Sequence, residues 1–165
     1  FGAACKTHRV DITPVTVPFS WKITKEAGLL TFPHEHNKPK RLGAPADDKY
    51  DLGTIIELKM PEKLPEGVHD VIIRVDYEGD CGRLYIGGKF VHDNFYCGRA
   101  WEFSLRHFMP EILSSPVTLK ILQLRKDALI YLSPGYLPDF KDQPQILHIK
   151  SIQAVPIYSL DLPLA

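Results

Sequence analysis

The chain has 165 residues, and its 20 basic and 20 acidic side chains give a formal net charge of +0. It is too short for a complete TIM barrel, which needs about 250 residues. The balanced charge argues against nucleic acid and anionic membranes as partners, and no apolar run reaches the roughly 18 residues of a membrane-spanning helix. We therefore expect one domain over residues 1–165, with no nucleic-acid or membrane partner.

The start of the chain indicates its origin, and the number of cysteines limits the disulfides it can form. The sequence begins at Phe1 and shows no signal-peptide pattern, which indicates a processed protein or a piece of a longer one. The three cysteines, Cys5, Cys81 and Cys97, allow at most one disulfide, so they do not form a disulfide framework. Cys81 and Cys97 flank a predicted hairpin and could pair across it. An unpaired buried cysteine acting as a small hydrophobe is the commoner case.

The first third of the chain predicts strands and loops rather than helices. Short β-branched runs broken by prolines, of which VDITPVTVPFSWKI is the clearest, are typical of edge or connecting strands. Residues 34–51 are polar and rich in proline and charge. This composition indicates a long surface loop.

From residue 54 onward, apolar and polar residues alternate with a period of two, which predicts half-buried strands. The predicted strands are residues 54–60, 70–77, 83–86, 89–91, 101–106 and 117–121, with a last strand pair at about residues 146–158, interrupted by Pro156. Gly87 and Gly88 predict a type I′ hairpin turn between two of them, because glycine permits positive φ. Residues 106–113 are the one predicted helical turn, restricted by Pro110.

Many short strands, few helical patterns and turns rich in glycine and proline define the expected fold class. The sequence predicts an all-β protein with an antiparallel β-sandwich or jelly-roll architecture.

One stretch resembles a known family. The phrase RLYIGGKFV looks like a hairpin of galactose-binding-like jelly rolls attached to glycoside hydrolases, with Gly87 in place of the usual asparagine. Residues 76–108 are similar to the C-terminal jelly-roll domains of bacterial β-galactosidase-like proteins of glycoside hydrolase family 35. The matching residues are Gly79, Asp80, Arg83, Tyr85, Gly88, Asp93, Asn94, Phe95, Tyr96, Gly98, Trp101 and Leu105.

The resemblance implies a non-catalytic accessory domain of a larger carbohydrate-active enzyme. That family's catalytic carboxylates belong to a barrel, so the chain would supply no catalytic residue, and its partner would be the catalytic domain of the parent chain. The resemblance also implies secretion or a periplasmic location, because polysaccharides lie outside the cytoplasm.

Carbohydrate binding needs an aromatic platform and a few fixed polar groups. The candidates are Tyr136, Phe140, Tyr96, Asp93, Asn94 and Trp101. For each, a structural role is the alternative: Trp101 shares its strand face with Phe103 and Leu105, which is typical of a core residue. The Asp93-Asn94 pair suits a turn, and the two loop aromatics Tyr136 and Phe140 could cover the core.

Two acidic or histidine-containing runs raise the alternative of a bound metal. Asp76, Glu78 and Asp80 resemble an oxygen-donor loop, and jelly rolls of this kind often carry structural Ca²⁺, although the spacing of a defined calcium loop is missing. His34 and His36 could begin a zinc site with Asp47 or Asp48, against a solvated surface loop as the plainer interpretation. No cofactor is otherwise expected.

Three functions remain open from the sequence. The first is a non-catalytic accessory domain of a β-galactosidase-like enzyme, either binding galactose-containing glycans or structural in role. The second is a purely structural or interaction β-sandwich module without sugar affinity, which predicts an exposed apolar patch. The third is a small self-contained hydrolase, which requires a buried pair of carboxyl groups.

Overall fold

The structure, a computed structural model, describes residues 9–30, 45–128, 130, 132–133 and 135–161. Within these residues the chain forms ten strands and three short helical segments. The strands are β1 (Ser20–Lys25), β2 (Thr54–Lys59), β3 (Asp70–Glu78), β4 (Cys81–Ile86), β5 (Lys89–Phe95), β6 (Trp101–Ser104), β7 (Val117–Ile121), β8 (Leu124–Arg125), β9 (Gln145–Ile146) and β10 (His148–Ile157). The helical segments are two 3-10 helices, η1 (Asp47–Leu52) and η2 (Arg106–Phe108), and the α-helix α1 (Glu111–Ser114).

The strands form antiparallel sheets, as the sequence predicts. A five-stranded sheet has the order β1-β2-β7-β4-β5, and a three-stranded sheet has the order β10-β3-β6. A further pair, β8 and β9, forms a two-stranded sheet. Among the described residues, no helix is long and apolar enough to span a bilayer.

The hydrophobic core is formed by the apolar side chains of the predicted alternating strands. Val71, Ile73 and Val75 of β3 are fully buried, and Ile56 of β2 and Leu119 of β7 are equally inaccessible. Side chains from the five-stranded and the three-stranded sheets belong to one hydrophobic cluster. Burial of such aliphatic side chains contributes roughly 1.5–3 kcal/mol each, so this cluster is the main source of stability.

Strand β4 is buried on both faces, which the alternation alone does not predict. Leu84 and Ile86 lie in the main cluster, while Cys81 packs in a second cluster with Tyr50 of η1. The residues of η1 therefore cover the outer face of the five-stranded sheet at this point. Residues 47–51 were expected to be a surface loop, and this prediction is wrong: they belong to η1, whose Tyr50 is buried against Cys81.

The turn between β4 and β5 is the predicted hairpin. Gly87 and Gly88 have φ angles of +56° and +79°, the left-handed conformation that a type I′ turn requires at both central positions. The short helical segment η2 lies within the predicted residues 106–113, and α1 extends one residue beyond them, to Ser114.

The last predicted strand pair is wrong in one respect. Pro156 does not interrupt a strand, because β10 runs continuously from His148 to Ile157 and pairs with β3. Strand β10 is an edge strand of its sheet, where a proline can stand without removing a ladder hydrogen bond.

Candidate functional site

The structure brings three of the predicted carbohydrate-binding residues together. Asn94, Tyr96 and Tyr136 meet beside Tyr77, and we call these four residues the tyrosine cluster. The rings of Tyr77 and Tyr96 have centroids 5.7 Å apart, and the Asn94 side-chain amide donates a hydrogen bond of 2.8 Å to the Tyr77 hydroxyl. The end of β5 and a loop distant in sequence thus form one site.

Tyr136 is held in place by its neighbours while part of its ring remains open. The Tyr96 hydroxyl donates to the Tyr136 carbonyl at 3.2 Å. Gly98, with φ +82°, lies directly against the side chain, since a Cβ at that position would stand 2.3 Å from ring atoms of Tyr136. The residue is nevertheless 42% exposed. An exposed aromatic ring on a fixed backbone is the element that stacking on a sugar ring requires.

Charged groups lie beside the tyrosine cluster. The Glu78 carboxylate forms an ion pair with the Lys150 ammonium, with a distance of 2.9 Å between the nitrogen and the oxygen. Burial and the charge of Glu78 raise the pKa of the Tyr96 phenol, so the phenol is protonated at neutral pH and can donate a hydrogen bond. The site therefore combines an aromatic ring with hydrogen-bond donors and acceptors.

Asp80 connects to the cluster through the backbone. Its carbonyl accepts a hydrogen bond of 2.8 Å from the Tyr96 amide, and its own amide donates to the Leu122 carbonyl. Burial raises the pKa of the Asp80 carboxyl to about 6. Among the described residues, the shift arises from burial and not from a second carboxyl group, as it would in a catalytic carboxyl pair.

The other predicted carbohydrate-binding residues are buried or face away from Asn94. Trp101 is 2% exposed and Phe140 is 9% exposed, so neither ring offers a face to a sugar in this conformation. Side chains alternate between the two faces of a strand, so Asp93 and Asn94 point to different faces of β5. Asp93 is paired with Arg83 of β4 in the strand register.

The predicted metal ligands are not gathered in the structure. In the part of the chain that is described, no group of three or more His, Cys, Asp or Glu side chains is arranged to hold a metal ion. Glu78 instead pairs with Lys150, while Asp80 lies in the turn after β3. The candidates His34 and His36 lie outside the described residues.

The described cysteines, Cys81 and Cys97, are both free. The buried Cys81 sulfur accepts a hydrogen bond from the Tyr50 hydroxyl at 3.3 Å. Burial raises the pKa of the Cys81 thiol to about 12, so this residue is a protonated core side chain rather than a nucleophile.

Two features of the structure were missed at the level of sequence. The packing of Tyr136 on Gly98 joins positions that no local pattern relates, although Gly98 is among the residues that carry the family resemblance. Trp21 of β1 is 37% exposed beside a groove, and its place in the alternating run SWKITK gave no indication of this exposure.

Comparison with known proteins gives no match. No family model fits the chain, and neither a curated protein nor a solved structure is significantly similar to it. The likeness of residues 76–108 to family 35 accessory domains therefore remains a prediction that depends on the motif alone.

Proposed function

We propose that the chain is a non-catalytic accessory domain of a β-galactosidase-like glycoside hydrolase and that it binds galactose-containing glycans. In this proposal the two larger sheets form a galactose-binding-like β-sandwich or jelly roll. Two observations support that architecture: both sheets are antiparallel, and their buried side chains belong to one cluster. The motif in residues 76–108 supports the enzyme family.

The main observation that supports the binding function is the position of Tyr136, which is held by its neighbours and remains partly exposed. Its ring packs on the backbone of Gly98 and remains accessible, with the Tyr96 hydroxyl fixing the carbonyl of the same residue. The apolar face of galactose can stack on such a ring, and nearby Lys150 and Glu78 offer a donor and an acceptor to sugar hydroxyls.

The acidic residues support a non-catalytic role. A retaining glycosidase needs two carboxyl groups about 5–5.5 Å apart, one of them free to attack the sugar. Glu57 pairs with Lys22 at 2.8 Å, and Glu102 pairs with Arg74 at 2.6 Å. Carboxylates engaged in this way on exposed strand faces act as solubilising residues, and catalysis would belong to the parent chain's catalytic domain.

A structural or interaction module is the second candidate, and strand β5 favours it. Phe90, Val91 and Phe95 are exposed on this strand, which lies at the edge of the five-stranded sheet. An exposed apolar edge strand is normally protected by a partner, and the catalytic domain of the parent chain is the expected one.

Calorimetric titration of the purified chain with galactose-containing oligosaccharides tests the proposal. We expect Tyr136→Ala to weaken binding by about tenfold or more, because removal of a stacked aromatic ring typically costs over 1 kcal/mol. Leu137→Ala is the matched control, since Leu137 is the exposed neighbouring residue and offers no aromatic ring. Its affinity should equal that of the unmodified chain.

The outcomes separate the two candidates. Binding that is about tenfold or more weaker in Tyr136→Ala and unchanged in Leu137→Ala supports glycan binding at the tyrosine cluster. Absence of heat with every sugar, with and without Ca²⁺, contradicts it and favours the interaction module.

A further inference from the structure

Strand β5 carries an exposed surface on the outer face of the five-stranded sheet. We call it the β5 surface, and it is formed by Phe90, Asp93 and Phe95. In the strand register these residues are paired with alternating residues of β4, namely Tyr85, Arg83 and Cys81. Alternating residues share one face of a strand, and directly paired residues point to the same side of a sheet. The three residues of the β5 surface therefore lie on the same face as Arg83, the face that η1 covers.

The Phe90 ring is held in place although it is exposed. The guanidinium carbon of Arg83 lies 4.6 Å from the centroid of the Phe90 ring, and the centroid of the Tyr85 ring lies 6.1 Å from it. Phe90 is nevertheless 49% exposed, and Phe95 is 53% exposed. An aromatic side chain that is already fixed loses little conformational entropy when a partner covers it, which is typical of an interface anchor.

The charge of the β5 surface is negative. Asp93 is exposed, and among the described residues its carboxylate has no ion-pair partner, because Arg83 pairs with Asp47 instead. One uncompensated carboxylate thus lies between two phenyl rings. A second copy docked about a two-fold axis through the centre of this surface would bring the two Asp93 carboxylates together. A partner that supplies a cation is therefore the better fit.

The backbone of β5 is open to a further strand. The strand lies at the edge of its sheet and, in the part of the chain that the structure describes, it pairs with β4 alone. Val91 forms a one-residue bulge, since Phe90 and His92 pair with consecutive residues of β4, and the regular ladder then runs from His92 to Phe95. A free edge of this kind presents N–H and C=O groups to an added strand.

We propose that β5 binds an extended strand of a partner protein that carries a lysine or an arginine between two apolar side chains. The cation pairs with Asp93, and the apolar side chains cover Phe90 and Phe95. These two rings lie opposite residues four positions apart on β4, a distance of about 13 Å at about 3.3 Å per residue, so the two apolar side chains of the partner are four positions apart. The inference rests on the part of the proposed function that gives the domain a protein partner, and not on glycan binding.

The test is a titration of the ¹⁵N-labelled full chain with the capped heptapeptide Thr-Val-Thr-Lys-Thr-Val-Thr. Its valines are four positions apart with the lysine midway, and its sequence reads the same in both directions, so it suits parallel and antiparallel pairing. We expect the amide signals of β5 to shift and those of β1, the opposite edge strand, to stay. The peptide with glutamate in place of lysine should bind at least about fivefold more weakly, because its carboxylate would face that of Asp93.

Two pairs of variants test the side chains. Asp93→Asn should weaken binding of the lysine peptide about fivefold and remove the preference for lysine over glutamate, as expected of an exposed ion pair. Asp161→Asn, which removes an exposed carboxylate outside the strands, is its control. Phe95→Thr should weaken binding about tenfold. Leu29→Thr, at an exposed apolar residue outside the strands, should leave binding unchanged.

The inference is overturned if the β5 signals do not move at millimolar peptide, if the signals of β1 move equally, or if Asp93→Asn binds the lysine peptide as well as the unmodified chain does. Failure here is distinguishable from failure of glycan binding. Galactan binding without peptide binding overturns this inference alone, whereas peptide binding without galactan binding supports it and contradicts only the glycan function. Tyr136→Ala should bind the peptide normally.

Discussion

Replacement of Trp101 by alanine is expected to lower the free energy of unfolding by about 3–5 kcal/mol, the range for large aromatic side chains in a core. Its indole N–H donates to the His92 ring at 3.1 Å, and its ring centroid lies 5.5 Å from that of Phe103. A Cβ at Gly82 would lie 2.8 Å from the ring, so β4 of the five-stranded sheet is packed closely against it. Alanine would leave a cavity that these neighbours cannot close. Urea denaturation measures the loss.

Trp21→Ala is the matched control for this substitution. It removes the same side chain from a position that is 37% exposed, and we expect a cost of about 1 kcal/mol or less. Equal costs for the two variants would contradict the assignment of Trp101 to the core. The two variants can be compared by their urea midpoints if the dependence of the free energy of unfolding on urea concentration is the same for both.

The parts of the fold that depend on local chemistry could be predicted from sequence. The alternation of Val71, Ile73 and Val75 shows which face of β3 is buried, because side chains in a strand alternate between its two faces. The Gly87-Gly88 turn is equally local, since only its own two φ angles decide the turn type.

The parts that depend on distant neighbours could not be predicted. Strand β4 is buried on both faces because Tyr50, about thirty residues earlier, covers Cys81. Strand β10 accommodates Pro156 because it occupies a sheet edge, and no feature of its own sequence specifies that place.

In the candidate site, too, the residue types could be predicted from sequence but their arrangement could not. Composition identified Tyr96, Asn94 and Tyr136 as residues of the right chemical type. Their meeting depends on a contact between Gly98 and a loop almost forty residues later, which only the folded chain brings together. The exposure of Trp21 depends in turn on β1 lying at a sheet edge.

Asp80→Asn is expected to stabilise the protein at pH 7 by up to about 3 kcal/mol. Burial raises the carboxyl pKa from its ordinary 3.8 to about 6, and a difference of about two units corresponds to about 3 kcal/mol. Between about pH 4 and 6 the folded state binds more protons than the unfolded state, so stability falls as the pH rises through this window. Above about pH 6 the full cost of burying the Asp80 charge lowers the free energy of unfolding. Asparagine has nearly the same shape and removes the charge, so this pH dependence should disappear.

Thermal unfolding from pH 4 to pH 8, with Ca²⁺ and with a chelator, measures this effect and tests the predicted calcium site. Asp161→Asn is the control, because it removes an exposed carboxylate and should leave the pH profile unchanged. A bound cation stabilises the ionised form of a carboxylate that coordinates it. If Asp80 were a calcium ligand, Ca²⁺ would therefore raise the melting temperature of the unmodified chain, and Asp80→Asn would become destabilising. The sign of this one substitution in the presence of Ca²⁺ thus distinguishes a metal ligand from a buried carboxyl whose charge opposes folding.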